Sequence, residues 1–197
     1  MRYSTSIQAV ILLLVSLPGQ TETCWVPADT GNTLAFEVGQ PQGPPITGEF
    51  TRFDGYLCLD PAKTLFTQLR LTVNLDSVDT GLPELDEALR GPMFFDTTRW
   101  PEAVFESHSL EKTDNDHNYK VKGEFTLRDV TRTIQVPFKF MPDQGNKSAH
   151  LKGSWRIDRL DYGVGQGQWG DTRWADDEVK LEFDISLFRA NIEPGNQ

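Results

Sequence analysis

Two cysteines and three histidines in 197 residues leave this chain little equipment for chemistry. His108, His117 and His150 have no metal-ligand spacing and no neighbouring cysteine pair, so ordinary surface roles are expected of them. No G-x-S-x-G occurs, and no serine or cysteine stands in a nucleophile context. Gly163-Val-Gly165-Gln-Gly167 lacks the following helix and the G-K-[ST] ending of a phosphate cradle. The acidic run Asp171, Asp176, Asp177 and Glu178 follows no calcium-loop spacing and reads as a solvated loop. No enzyme, metal site or cofactor is therefore expected. Basic residues are scarce as well: Lys+Arg 19 against Asp+Glu 29 gives a net charge of −10. That balance repels phosphate backbones, which argues against a nucleic-acid partner and disfavours an anionic membrane surface.

One apolar run exists, Ile7 to Leu17, and it is too short to span a bilayer comfortably. With Arg2 before it and Pro18-Gly19 after it, the layout is that of a secretory signal, expected over residues 1–23 with cleavage after Thr21 or Thr23, an uncleaved anchor being the alternative. Export places the protein in the periplasm, where Cys24 and Cys58 are able to pair. A disulfide, two free thiols and lipid attachment at Cys24 all stand as readings. Thr21-Glu22-Thr23 lacks the residues of a lipid-attachment box, which puts lipidation last.

Beyond the signal, period-two alternation recurs in short segments separated by turn residues. Strands are expected at Asn32–Val38, Thr67–Leu75, Glu102–Ser109, Tyr119–Leu127, Thr133–Phe140, Leu151–Ile157 and Glu178–Leu187. Pro137 calls for an edge or a bulge within its strand. Asp54-Gly55 predicts a type I′ turn that folds Ile46–Asp60 into a hairpin. Ile46, Gly48, Phe50, Leu57 and Leu59 would then share one face, with Phe53, Tyr56 and Cys58 on the other. Leu82, Leu85 and Leu89 have helical spacing between Thr80 and Gly91, which predicts a two-turn helix over an opening or an edge. Asp161–Asp171 reads as a mobile glycine-rich loop.

Eight or nine short strands with one small helix suggest a single all-β domain, a sandwich or a barrel. An eight-stranded barrel has an interior just wide enough for side chains or one slim ligand. Aromatic residues crowd the apolar faces. They either fill a self-sufficient core or wall a long apolar cavity. For the second reading the expected lining is Phe50, Leu57, Leu69, Leu71, Phe105, Phe138, Trp155 and Phe183.

Several stretches are similar in order and spacing to the YceI-like family of exported lipid-binding proteins. They are Gly48-x-Phe50-x-x-Phe53-Asp54-Gly55, Ser77-Val-Asp79-Thr80-Gly81 and Asp86-x-x-Leu89, followed by Phe94-Phe95-Asp96, Pro101-x-Ala103-x-Phe105 and Gly123-x-x-Thr126-Leu127-x-x-Val130-Thr131. The resemblance covers nearly all of residues 24–197. It implies an extended antiparallel, lipocalin-like β-barrel of about eight strands with one short helix. It also implies a polyisoprenoid ligand, an isoprenoid quinone or a polyprenyl phosphate, held in the tunnel for transport or storage. This chain has Leu85 and Ala88 where many members carry Arg and His, so any head-group contact made by those residues is missing here. Trp169-Gly-Asp171-Thr172 is similar to a subgroup associated with membrane b-type cytochromes, which favours a quinone. The same likeness carries the alternative, a non-catalytic module docking on such a cytochrome through its acidic loops. Oligomeric state stays open, a homodimer included.

Overall fold

The computed structural model describes residues 23–60, 65–113 and 117–190. The signal expected at residues 1–23 lies, except for Thr23, outside the described residues. Eleven strands and one helix follow in order: β1 (Thr23–Pro27), β2 (Thr33–Val38), β3 (Ile46–Phe50), β4 (Phe53–Asp60), β5 (Leu65–Asn74), β6 (Val78–Asp79), α1 (Pro83–Arg90), β7 (Glu102–Lys112), β8 (Asn118–Leu127), β9 (Val130–Pro142), β10 (Ser148–Asp158) and β11 (Glu178–Ala190).

The strands form one antiparallel meander that closes on itself. β1 pairs with both β4 and β11, completing the eight-membered ring β1-β4-β5-β7-β8-β9-β10-β11. β2, β3 and β6 extend the same staves toward one end of the barrel. β2 takes the β11 edge at Val179–Asp184 and β1 takes it at Leu187–Ala190. β3 lies between β2 and β6, in line with β4. Closure gives every stave of the ring two neighbours, which reduces the open edges that are the usual liability of a sheet this size, although β9 before Pro137 is paired only with β8.

The expected hairpin at Asp54-Gly55 is not there. Both residues sit inside β4, opposite Thr72 and Leu71 of β5, and the chain breaks instead at Thr51-Arg52. Gly55 serves close approach rather than a turn: a Cβ there would lie 2.4 Å from the Arg70 carbonyl oxygen. Moreover β4 finds longer pairing with β1 and β5 than a fold back onto β3 would offer. The two-residue break resets the alternation, so Phe53 shares a face with Leu57 and packs into the interior beside Phe50. Phe53 was expected on the outer face. Leu57 turns inward as expected and is buried.

β1 carries little alternation and escaped the pattern, yet it holds Cys24 and Trp25, both buried. Cys24 lies directly opposite Cys58 in the β1–β4 ladder, and the two are joined as a disulfide. Pro137 falls where the β9–β10 ladder stops, since β10 pairs with β9 only from Phe138 to Pro142. No neighbour there needs the N–H that proline lacks.

Inside the barrel are two apolar clusters stacked along the axis. One gathers Phe36, Phe50, Val73, Leu75 and Leu89, and the other Trp25, Leu57, Phe105, Phe138 and Phe140. Phe53, Leu71, Phe125 and Phe183 pack against both. Two glycines on the wall make room for rings. A Cβ at Gly153 would lie 2.4 Å from the Phe183 ring across the ladder, and one at Gly123 would lie 2.7 Å from the Phe105 ring. The large side chains thus lie along the wall at these points.

The disulfide closes a loop across a sequence separation of 34, worth about 4 kcal/mol in the chain-entropy model. The double variant Cys24→Ala/Cys58→Ala should therefore unfold roughly 10 °C lower in a thermal melt while keeping its β spectrum. A fall of less than about 2 °C would show that β1 closes the barrel without the bond.

Candidate functional site

The inward faces of the staves enclose a cavity of about 250 Å³. All eight residues picked out by alternation face it: Phe50, Leu57, Leu69, Leu71, Phe105, Phe138, Trp155 and Phe183. Phe36, Val73, Val121, Phe125, Leu127, Ile134 and Ile185 complete much of the wall, and the surface presented to the cavity is almost wholly hydrocarbon. The cavity is larger than the engineered apolar cavities of about 150 Å³ that stay dry and accept benzene. At about 24 cal/mol per Å³, a core with a void of about 250 Å³ is roughly 6 kcal/mol short of a packed one. A barrel serving only as a scaffold has no reason to forgo that stability.

One end of the cavity is capped by α1 and the loops around it. Leu89 is buried against the cavity and Leu85 is half-buried, but Leu82, also expected on this face, is 59% exposed. It precedes the helix as its N-cap, in extended conformation, and so leaves the helical face. Asp86 ties the helix to the barrel by accepting from the Thr80 N–H at 2.8 Å and its hydroxyl at 2.7 Å. The Thr80 bonds hold the Asp86 carboxyl below the ordinary range against the effect of its burial. Arg90 donates to the carbonyls of Asp76 and Val78, both at 2.9 Å. Phe94, Phe95 and Trp169 then reach the cavity from above. Phe94 and Trp169 lie with ring centroids 5.5 Å apart.

Two buried arginines organise this cap, and neither left a local signal in the sequence. Arg159 is 5% exposed and spends its guanidinium on four carbonyls: Asp176 at 2.8 Å, Val164 at 2.9 Å, Trp169 at 2.8 Å and Ala175 at 3.0 Å. Burial lowers its pKa, and the nearby Asp177 and Asp176 oppose that shift. Arg128, 7% exposed, donates to the carbonyls of Phe94 and Gly163 and lies over the Trp100 ring at 4.8 Å. The segment expected to be a mobile loop is consequently wound into two 3₁₀ turns, Arg159–Tyr162 and Gly167–Gly170, around a fixed cation. Gly165 is part of that winding. Its φ is +88°, and a Cβ would fall 2.0 Å from Arg159 Nη1.

The polar groups considered from the sequence lie apart from the cavity. His108 and His150 are exposed on the outer wall, facing Glu124 at 3.8 Å and Asp184 at 3.9 Å. The acidic run divides its work. Asp177 accepts from the Leu160 N–H at 2.9 Å, while Asp171 is held to about 2 by its hydrogen bonds to Arg173. Among the described residues no group of three His, Cys, Asp or Glu side chains is placed to hold a metal ion.

A YceI-like domain model matches residues 25–187. The chain belongs to the YceI-like family. Its relatives include a UPF0312 protein of Yersinia pestis (strain Pestoides F), 35% identical over 101 residues, a stretch covering 51% of each chain. Protein YceI of Shigella flexneri is 30% identical over 123 residues, covering 60% of this chain and 63% of that one. The chain thus spans about half the length of the first of these relatives. Among solved structures, BcnA of Burkholderia cenocepacia superposes with a TM-score of 0.75 at 25% identity, covering 81% of this chain and 98% of that one. A polyisoprenoid binding domain from Saccharophagus degradans shares the fold with a TM-score of 0.65 at 15% identity, covering 84% and 98%.

Removing the Arg159 guanidinium strands four carbonyls, those of Val164 and Ala175 buried, so Arg159→Met should cost about 3 kcal/mol or more. The loss should be local. Amide exchange is expected to speed at least tenfold across residues 163–177 and to stay slow in β7, β8 and the β10–β11 ladder. Uniform acceleration through the barrel would show instead that Arg159 supports the whole fold.

Proposed function

We propose that this YceI-like protein is an exported binding protein that holds the polyisoprenoid tail of a lipid in its barrel cavity, for transport or storage outside the cytoplasm. The observation that carries the reading is the cavity itself: about 250 Å³, walled by aliphatic and aromatic side chains and almost without a polar atom. Such a wall discriminates by shape and hydrophobicity alone. It suits a chain of isoprene units, whose branched hydrocarbon needs no hydrogen bond and is insoluble in the aqueous space to be crossed. Each CH₂ removed from water contributes about 0.8 kcal/mol before the costs of association. The polyisoprenoid-binding character of the Saccharophagus degradans domain supports the same ligand class.

Tails of isoprenoid quinones and of polyprenyl phosphates fit the wall equally. Docking on a membrane cytochrome would ask for an acidic outer surface but not for an interior cavity. The cavity therefore favours the carrier.

Protein purified without detergent should release a polyisoprenoid lipid on organic extraction, identified by mass spectrometry. Leu71→Trp places an indole between the two apolar clusters and should lower the recovered lipid at least tenfold without changing the β spectrum. Lipid-free native protein that takes up neither a quinone nor a prenol would overturn the proposal.

A further inference from the structure

The cavity presents almost no polar surface with which to read a head group, so the polar end of a bound amphiphile has to lie beyond it. One split in the barrel wall lies between the β1–β4 and β2–β3 ladders, beside the cavity. The β1–β4 ladder runs out at Trp25 opposite Leu57, and the β2–β3 ladder starts only at Ala35 opposite Glu49. Residues 26–34 form one lip of this split and residues 50–56 the other.

Each lip is bonded away from the opening. On the first, the Ala28 N–H donates to the Ser186 carbonyl at 2.8 Å, and the Ser186 N–H donates to Asn32 Oδ1 at 2.9 Å. On the second, the Thr51 N–H donates to the Ser77 carbonyl at 3.2 Å, the Arg52 N–H to Ser77 Oγ at 3.0 Å, and the Asn74 N–H to the Arg52 carbonyl at 3.0 Å. Among the described residues no hydrogen bond joins residues 28–32 to residues 51–54. The lips are held open by their outer neighbours.

Between them lies a cleft of about 370 Å³, lined by Asp29, Thr30, Asn32, Thr51, Arg52 and Asp54. It adjoins the interior. Pro27 lines both cleft and cavity, while Phe53 lines the cleft and packs against both apolar clusters. A second break in the ladders, between β9 before Pro137 and the far end of β10, differs in being bridged. Arg132 on β9 pairs with Asp161 at 3.2 Å and lies over the Tyr162 ring at 5.9 Å.

We infer that the cleft between Pro27–Thr33 and Phe50–Asp54 is the head-group site, and that it takes an uncharged, hydrogen-bonding head such as a hydroxyl or a carbonyl-bearing ring. This rests on the cavity holding the tail. Charge selects against a phosphate. Asp29 and Asp54 bring two carboxylates against the single guanidinium of Arg52, which already faces Asn74 Oδ1 at 3.4 Å and Asp76 at 3.8 Å. A phosphate entering the cleft would meet net negative charge, whereas a hydroxyl or carbonyl finds both donors and acceptors.

Three probes separate head from tail: geranylgeraniol, geranylgeranyl phosphate and headless squalene, each titrated into the delipidated full chain. The native protein should prefer the alcohol to the phosphate by roughly tenfold or more. Asp29→Lys/Asp54→Lys changes two exposed residues and turns the lips from one net negative charge to three net positive. It should abolish or reverse that preference and leave squalene binding unchanged. An unaltered preference in the variant, with squalene still bound, would place the head group elsewhere while the tail reading stands. Failure of the native protein to bind squalene would remove the tail reading and this site together.

Discussion

The interior of this protein depends on a seam made by two short strands on one edge of β11. β2 occupies that edge at Val179–Asp184 and β1 at Leu187–Ala190, and without them the meander would be an open curved sheet. Closure fixes the number of staves, and the number of staves fixes the distance from wall to axis. Side chains then have to bridge that distance. Phe183 and Phe105 lie over glycines on neighbouring strands, so part of their volume runs along the wall and the axis is left underfilled. The cavity follows from closure together with the glycine–phenylalanine arrangement of the wall. The disulfide between β1 and β4 secures the shorter and less patterned of the two sealing strands.

Polar and apolar work are separated in space. The cavity is hydrocarbon, whereas the cap is built on hydrogen bonds to carbonyl groups around Arg159 and Arg128. An arginine suits such a post because its planar fork satisfies several carbonyls at once and stays charged when buried. Titratable groups at the cap, such as Asp86 with its lowered pKa, stabilise it above the ordinary carboxylate range. That contribution fades only as the pH falls through the lowered value. The cap is thus set for near-neutral conditions.

Much of the barrel is legible in the sequence because alternation on a closed wall has one meaning: the apolar parity faces in. That is why Leu69, Leu71, Phe138 and Phe183 are placed on the inward face by spacing alone, and the cavity lies against them. Asp54-Gly55 misled for a physical reason. The dipeptide is a strong turn signal, but glycine also serves where a neighbouring backbone comes close, and only the pairing partner tells the two uses apart. Arg128 and Arg159 were invisible because their carbonyl partners are gathered by tertiary folding and not by any fixed spacing. Whether aromatics fill a core or wall a cavity was equally beyond reach, since it turns on a small difference between wall circumference and side-chain volume.

The central claim is that hydrocarbon alone binds in the cavity, with burial of apolar surface as the driving force. Isothermal titration of squalene into delipidated protein at several temperatures tests it most directly, because a negative heat-capacity change is the robust mark of apolar burial. Saturable one-to-one binding with a clearly negative heat-capacity change is expected. Absence of saturable binding, or binding with a heat-capacity change near zero, would contradict it.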